Sequence, residues 1–68
     1  MMVWKVRLGK NVRSFRKSKG WSQQDLAGEA ELSLRFMAGV ERGEENPSLE
    51  TLISIATALD VSPARLFD

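Results

Sequence analysis

Apolar residues recur along this chain at the three- and four-residue intervals that are typical of amphipathic helices. Near the beginning, Leu8, Val12 and Phe15 occupy positions i, i+4 and i+7, which places them on one helical face. We therefore expect a first helix over about residues 6 to 18, with Gly20 as the glycine that ends it. No segment alternates between polar and apolar residues with a period of two, so the pattern predicts no β-sheet.

The segment QQDLAGEAELSLRFMAGVER, residues 23 to 42, carries two short helical patterns. Leu26 and Ala30 lie on one face of the first pattern, and Met37 marks the inward face of the second. Between them stands Ser33, a good N-cap residue, and a single amphipathic helix of this length would need no cap in its middle. The segment therefore predicts two helices, over about 23–30 and 34–42, that are joined by a tight turn.

The rest of the chain predicts two further helices. Ser48 is suited to cap a fourth helix that ends near Leu59, and Pro63 suits the first position of a short fifth helix. The sequence therefore predicts an all-α fold, a compact five-helix bundle. It would form a single domain over residues 1–68 and contain a helix-turn-helix core at 23–42.

Composition narrows the range of functions mainly by exclusion. The chain has 68 residues with no cysteine and no histidine, which argues against disulfides and most zinc chemistry. We predict no metal site, cofactor, small-molecule ligand or catalytic set, and therefore no enzyme. No uncharged apolar run approaches the roughly 20 residues needed to span a bilayer, and the N-terminus lacks the pattern of a signal peptide. A cytoplasmic protein is expected.

The formal net charge of +1 says little about partners, but the charges are unevenly distributed. Residues 5 to 19 contain seven basic residues and no acid, whereas residues 44 to 68 contain five acids and a single arginine. Such an asymmetry indicates one surface that can approach phosphates and another that stays solvated. A basic helix face that is merely solvated is the alternative.

The order and spacing of several motifs resemble those of the Cro/phage-repressor type of helix-turn-helix protein, the XRE family. The resemblance extends from about residue 8 to residue 67. The matching stretches are LGKNVR at 8–13, GWSQQDLA at 20–27, VERG at 40–43, NPSL at 46–49, and IA, LDVSP and LF between 55 and 67. Within the family, the short length and the run GVERG at 39–43 are similar to the controller proteins of restriction–modification systems.

This resemblance implies a lambda-repressor-like DNA-binding domain that regulates transcription, including control of restriction–modification genes. As a homodimer it would bind double-stranded DNA at a near-palindromic operator, with the second helix of each motif in a major groove and half-sites roughly 34 Å apart. A protein-interaction module, an antitoxin or adaptor that binds DNA weakly, is the alternative. The near-neutral charge and the acidic loop at 44–45 keep it open.

The resemblance also implies which residues meet DNA. Arg35 is the candidate for a bidentate contact to guanine, with a phosphate contact or solvation as the alternative. Gln23 is expected to contact phosphate and to brace the second helix of the motif, which is the recognition helix. Gly39 either brings that helix close to DNA or packs within the domain, and Phe36 faces either DNA or helix 2. The expected DNA-binding residues are Gln23, Ser33, Leu34, Arg35, Phe36, Gly39, Arg42 and Asn46.

Three further expectations concern the structure of the domain and its dimer. Arg16 and Glu41 should pair and link helix 1 to the end of helix 3. Glu31 occupies a turn position that needs a positive φ and where the family frequently has glycine, so some strain is expected there. The expected homodimer contacts are Ile53, Leu66 and Phe67.

Overall fold

Four α-helices and a C-terminal 3-10 helix make up the computed structural model, which describes residues 3 to 68. The helices are α1 (Val3–Ser18), α2 (Gln23–Glu29), α3 (Leu34–Glu41) and α4 (Leu49–Leu59), followed by the 3-10 helix Pro63–Phe67. The all-α prediction is confirmed, and residues 3–68 contain no strand. The fifth helix is a correction, because its five residues form a 3-10 helix rather than an α-helix, as short terminal segments often do.

Serine hydroxyls begin three of the helices. Ser22 and Asp25 form a reciprocal capping box at α2, and the hydroxyls of Ser33 and Ser48 accept backbone N–H bonds at the starts of α3 and α4. These caps satisfy N–H groups that have no partner inside the helix. The caps at Ser33 and Ser48 lie where the sequence predicts them, and the bounds of α2, α3 and α4 agree with prediction within a residue. Helix α1 begins about three residues earlier than predicted.

The core lies where α1 packs against α3 and the 3-10 helix, and where α2 and α4 close around them. Its members are apolar side chains with almost no exposed surface. They are Leu8, Val12, Leu26, Ala27, Ala30, Met37, Val40, Leu52, Ile55, Ala56, Leu59 and Leu66. None of the helices described between residues 3 and 68 is long and apolar enough to cross a bilayer.

Leu66 is part of this core, so its expected role in a dimer interface is wrong. Its side chain is fully buried inside the protomer and has no surface left for a partner. The Asn11 side-chain amide donates to the carbonyl oxygens of Leu66 and Asp68, at 2.9 Å each, and thereby fastens the 3-10 helix to α1. Phe67, the adjacent residue, points outward and remains 38% exposed.

Gly9 allows α1 and α3 to meet backbone to backbone. A Cβ atom at this position would lie 2.6 Å from the carbonyl oxygens of both Val40 and Glu41. Backbone atoms cannot move aside as a flexible side chain can. The close contact therefore sets how α1 holds the last turn of α3.

We predict that Gly9→Ala lowers stability, although helix propensity alone would favour alanine by about 1 kcal/mol. Overpacking of this kind costs typically about 1–3 kcal/mol, and the contact with backbone makes relief difficult. Urea unfolding monitored by circular dichroism measures the effect. Gly28→Ala in α2 is the matched control, since a Cβ there has no neighbour within 4 Å. Equal or higher stability of Gly9→Ala would contradict the close contact.

Candidate nucleic-acid interface

Helices α2 and α3 and the turn between them form the helix-turn-helix. The turn contains Glu31 at φ 59°, which confirms the expected positive φ at this position. A left-handed conformation costs a non-glycine residue roughly 1–2 kcal/mol. The chain then straightens into Ser33, whose hydroxyl accepts the Phe36 N–H at 3.0 Å. This cap sets the direction in which α3 leaves the turn.

One side of α3 faces away from the core. Met37 and Val40 are buried, and the helical period places residues 35, 38, 39 and 42 on the opposite side. Leu34 and Arg35 at the first turn are exposed. Among residues 3–68, the three ion pairs do not involve Arg35. Its guanidinium is therefore available to a ligand that approaches this face.

A buried ion pair holds the other side of α3. Arg16 donates from Nε to Glu41 Oε2 at 2.7 Å and from Nη2 to Glu41 Oε1 at 2.9 Å. Its Nη1 donates to the Trp21 carbonyl oxygen at 2.8 Å. The two side chains are only 9% and 3% exposed. The structure therefore contains the expected pair, in the bidentate geometry that makes such contacts strong.

The environment of Arg16 favours its charged form. The hydrogen bonds to Glu41 raise the pKa of the guanidinium; burial opposes this effect, and the Coulomb attraction of the same carboxylate adds to it. The guanidinium is always protonated in proteins, so the charge inside the domain is permanent. It depends on Glu41 for compensation.

Gln23 belongs to the same network. Its Nε2 donates to Glu41 Oε1 at 3.0 Å, so the first residue of α2 is joined to the last residue of α3. A side-chain amide has two N–H donors, and this bond uses one. Gln23 therefore braces α3 and keeps a second donor that could reach a phosphate.

We predict that Glu41→Gln destabilises folding, because the Arg16 charge would then be buried without a carboxylate. Removing one partner of a buried pair costs about 3–5 kcal/mol. A thermal melt measures the loss. The control is Glu44→Gln, which breaks the exposed Arg42–Glu44 pair of 3.1 Å and should cost under about 1 kcal/mol. If Glu41→Gln melts like the wild type and shifts DNA preference instead, Glu41 belongs to the DNA-binding surface.

The other expected DNA-binding residues fall into two groups. Arg42 and Asn46 are exposed near the end of α3, although Arg42 donates to Glu44. Phe36 is half-buried and packs against the core, and this packing is one of its two expected alternatives. For Gly39 the structure also favours packing within the domain, since the residue is buried. Gly39 is therefore not placed to contact DNA directly.

Glu45 covers Gly39, a contact that was not predicted from the sequence. A Cβ atom at Gly39 would lie 2.7 Å from Glu45 Cγ and 2.8 Å from Glu45 Oε2. The contact depends on the path of the loop after α3, which helical periodicity does not describe. The signal available beforehand was the combination of a glycine inside a helix and a long side chain in the next loop.

The comparison with family models identifies the class of protein. The helix-turn-helix family model matches residues 12–66, and the chain belongs to this family. The restriction-modification controller protein C.AhdI from Aeromonas hydrophila is similar in structure, with a TM-score of 0.90 and 43% identity. The match covers 93% of this chain and 96% of that one.

Curated relatives agree with this assignment. The control protein C.SmaI from Serratia marcescens is 42% identical over 59 residues, which are 87% of this chain and 70% of that protein. The transcriptional regulator DdrOP3 from Deinococcus deserti is 37% identical over 57 residues, covering 84% of this chain. The chain spans about half the length of the first such relatives, 44% of DdrOP3 and 56% of SinR from Bacillus subtilis.

Proposed function

We propose that this protein binds double-stranded DNA sequence-specifically as a homodimer and regulates transcription in the cytoplasm, at the nucleoid. Residues 1–68 act as one DNA-binding domain in this proposal. The observation that carries it is the braced recognition helix: α3 presents Leu34 and Arg35 outward while Glu41 is held by α1 and α2. An α-helix fits the major groove of B-DNA, and rigid support on its inner side lets base contacts discriminate.

We further propose that its targets include restriction–modification genes. The support is the match to C.AhdI, a restriction-modification controller protein that aligns with this chain over 96% of its own length. C.SmaI, a control protein by name, is of similar identity. Sequencing the genes beside this one tests the proposal. A neighbouring restriction endonuclease and methyltransferase are expected, and their absence would count against the controller role.

Dimerisation is proposed to use the exposed apolar side chains of α4 and of the 3-10 helix. Ile53 is 44% exposed and Phe67 is 38% exposed, and both come from the residues expected at the interface. Leu49 lies four residues before Ile53 on α4 and is 70% exposed, so it extends the same helical face. A symmetric pair would place two copies of α3 on successive major grooves of a near-palindromic operator.

The first test of DNA binding is selection from a random duplex pool, followed by the salt dependence of binding. A regulator of this kind should enrich a near-palindromic sequence. The logarithm of its binding constant should fall linearly with the logarithm of the salt concentration, with a slope of about −0.9 for each phosphate contact. A protein-interaction module would enrich no sequence and bind random DNA weakly at any salt concentration.

Arg35→Ala should relax base preference and weaken operator binding by about 1–3 kcal/mol, because a bidentate contact to guanine O6 and N7 is lost. Titrations of the operator and of random duplex DNA measure both affinities. Arg65→Ala is the control, since Arg65 is an exposed arginine in the 3-10 helix and should leave base preference unchanged. Equal losses on operator and random DNA for Arg35→Ala would assign Arg35 to phosphate.

The double variant Ile53→Ala and Phe67→Ala should shift the protein from dimer to monomer. Operator binding should weaken more than binding to a single half-site, because only the operator needs two linked copies. Analytical ultracentrifugation at low micromolar protein measures the shift. Leu34→Ala removes an apolar side chain of similar exposure, 47%, and should remain dimeric. Retention of the dimer by the double variant would exclude this interface.

A further inference from the structure

We infer that Glu45 is a specificity-determining residue that selects for a cytosine beside the base contacted by Arg35. The inference rests on the proposed function, since it assigns a second side chain to the same DNA-binding face. The Glu45 carboxylate covers Gly39 on the outward side of α3. The site therefore combines one guanidinium donor with one carboxylate acceptor.

The position of the Glu45 carboxylate follows from helix geometry. Gly39 lies one turn after Arg35, in the same i, i+4 row, on the side of α3 that faces away from Met37. Glu45 Oε2 lies 2.8 Å from the place where a Gly39 Cβ would stand. A Cα–Cβ bond at residue 39 would tilt toward the helix N-terminus, which is the direction of Arg35. The Glu45 carboxylate thus occupies the volume that a residue-39 side chain would use to meet DNA.

The loop after α3 is fixed well enough to hold this position. Gly43 turns the chain at φ 77°, and the Glu44 N–H donates to the Gly39 carbonyl oxygen at 2.9 Å. Pro47, two residues after Glu45, is buried. Glu45 itself is half-buried, whereas the adjacent Glu44 is exposed. Gly39 makes this arrangement possible, because any side chain there would collide with Glu45.

The chemistry of a carboxylate determines which base it can face. An ionised carboxylate only accepts hydrogen bonds. In the major groove guanine presents acceptors at N7 and O6, and thymine presents O4 and a methyl group. Adenine offers an amino group, but beside the acceptor N7, whereas cytosine offers its N4 amino group alone. Cytosine is therefore the base that Glu45 favours, and the other three are opposed by repulsion or by an unpaired charge.

Glu45 would lower the affinity of the protein for DNA of any sequence, while it raises the discrimination between bases. A carboxylate near DNA repels phosphates on every sequence, and this cost is offset only where a base donates to it. Glu44 carries the same charge in the same loop, but it is exposed and paired with Arg42 at 3.1 Å. The two neighbours therefore separate a general effect of charge from a specific effect of position.

The experiment compares wild type, Glu45→Gln and Glu44→Gln on the selected operator and on every single-base-pair variant of one half-site. Wild type should prefer cytosine at one position by at least about fivefold, the lower end for one good base contact. Glu45→Gln should lose that preference, whereas Glu44→Gln should keep it. Both variants should bind random DNA more tightly, because each removes one negative charge.

Gly39→Ala supplies an independent check, since its methyl group would displace the Glu45 side chain. It should lose the same cytosine preference and should add no further loss in the Glu45→Gln background. A thermal melt establishes that each variant folds. If Gly39→Ala does not fold, the comparison of the two glutamine variants decides alone.

Two outcomes would overturn the inference. Either the cytosine preference survives in Glu45→Gln, or the two glutamine variants change all affinities alike while base preferences stay as in the wild type. In both cases Arg35→Ala would still alter base preference if the proposed function is right. Failure of wild type to select any sequence would instead refute the proposed function itself.

Discussion

The buried pair of Arg16 and Glu41 is the interaction on which the rest of the structure depends. It joins α1 to the last residue of α3, and its other bonds reach the Trp21 carbonyl and the Gln23 amide around the start of α2. Three helices therefore meet at one guanidinium and one carboxylate. A domain this small has a modest core, and apolar contacts alone would let short helices adjust their angles. The directional bonds fix one arrangement.

That arrangement separates the two sides of α3. The inner side is committed to Met37, Val40 and Glu41, and the outer side is left to residues that do not support the fold. Arg35 can therefore change without loss of the helix, and Glu45 can lie over Gly39 without competing with the core. Because the brace lies on the inner side, side chains on the outer side of α3 can be exchanged while the helix stays in place.

Local signals in the sequence were enough to predict most of the fold. Ser22, Ser33 and Ser48 mark helix starts because a cap is a contact between near neighbours, and buried positions follow the helical period. The packing of the 3-10 helix was harder to predict, since periodicity could not decide which of Leu66 and Phe67 turns inward. The start of α1 was missed because no capping residue marks it. The cover of Gly39 by Glu45 depends on a loop path that no short-range pattern describes.

The positive φ at Glu31 has a consequence for how the protein can change. A glycine at this position would relieve the left-handed strain at no cost in packing, because Glu31 is exposed and glycine adopts such conformations readily. Replacing Glu31 with glycine would therefore raise the free energy of unfolding by about 1 kcal/mol. Proteins need only exceed the stability that function requires. A single substitution here could compensate a destabilising change elsewhere, such as a new side chain on the proposed DNA-binding face of α3, and so widen the range of side chains that this face can accept.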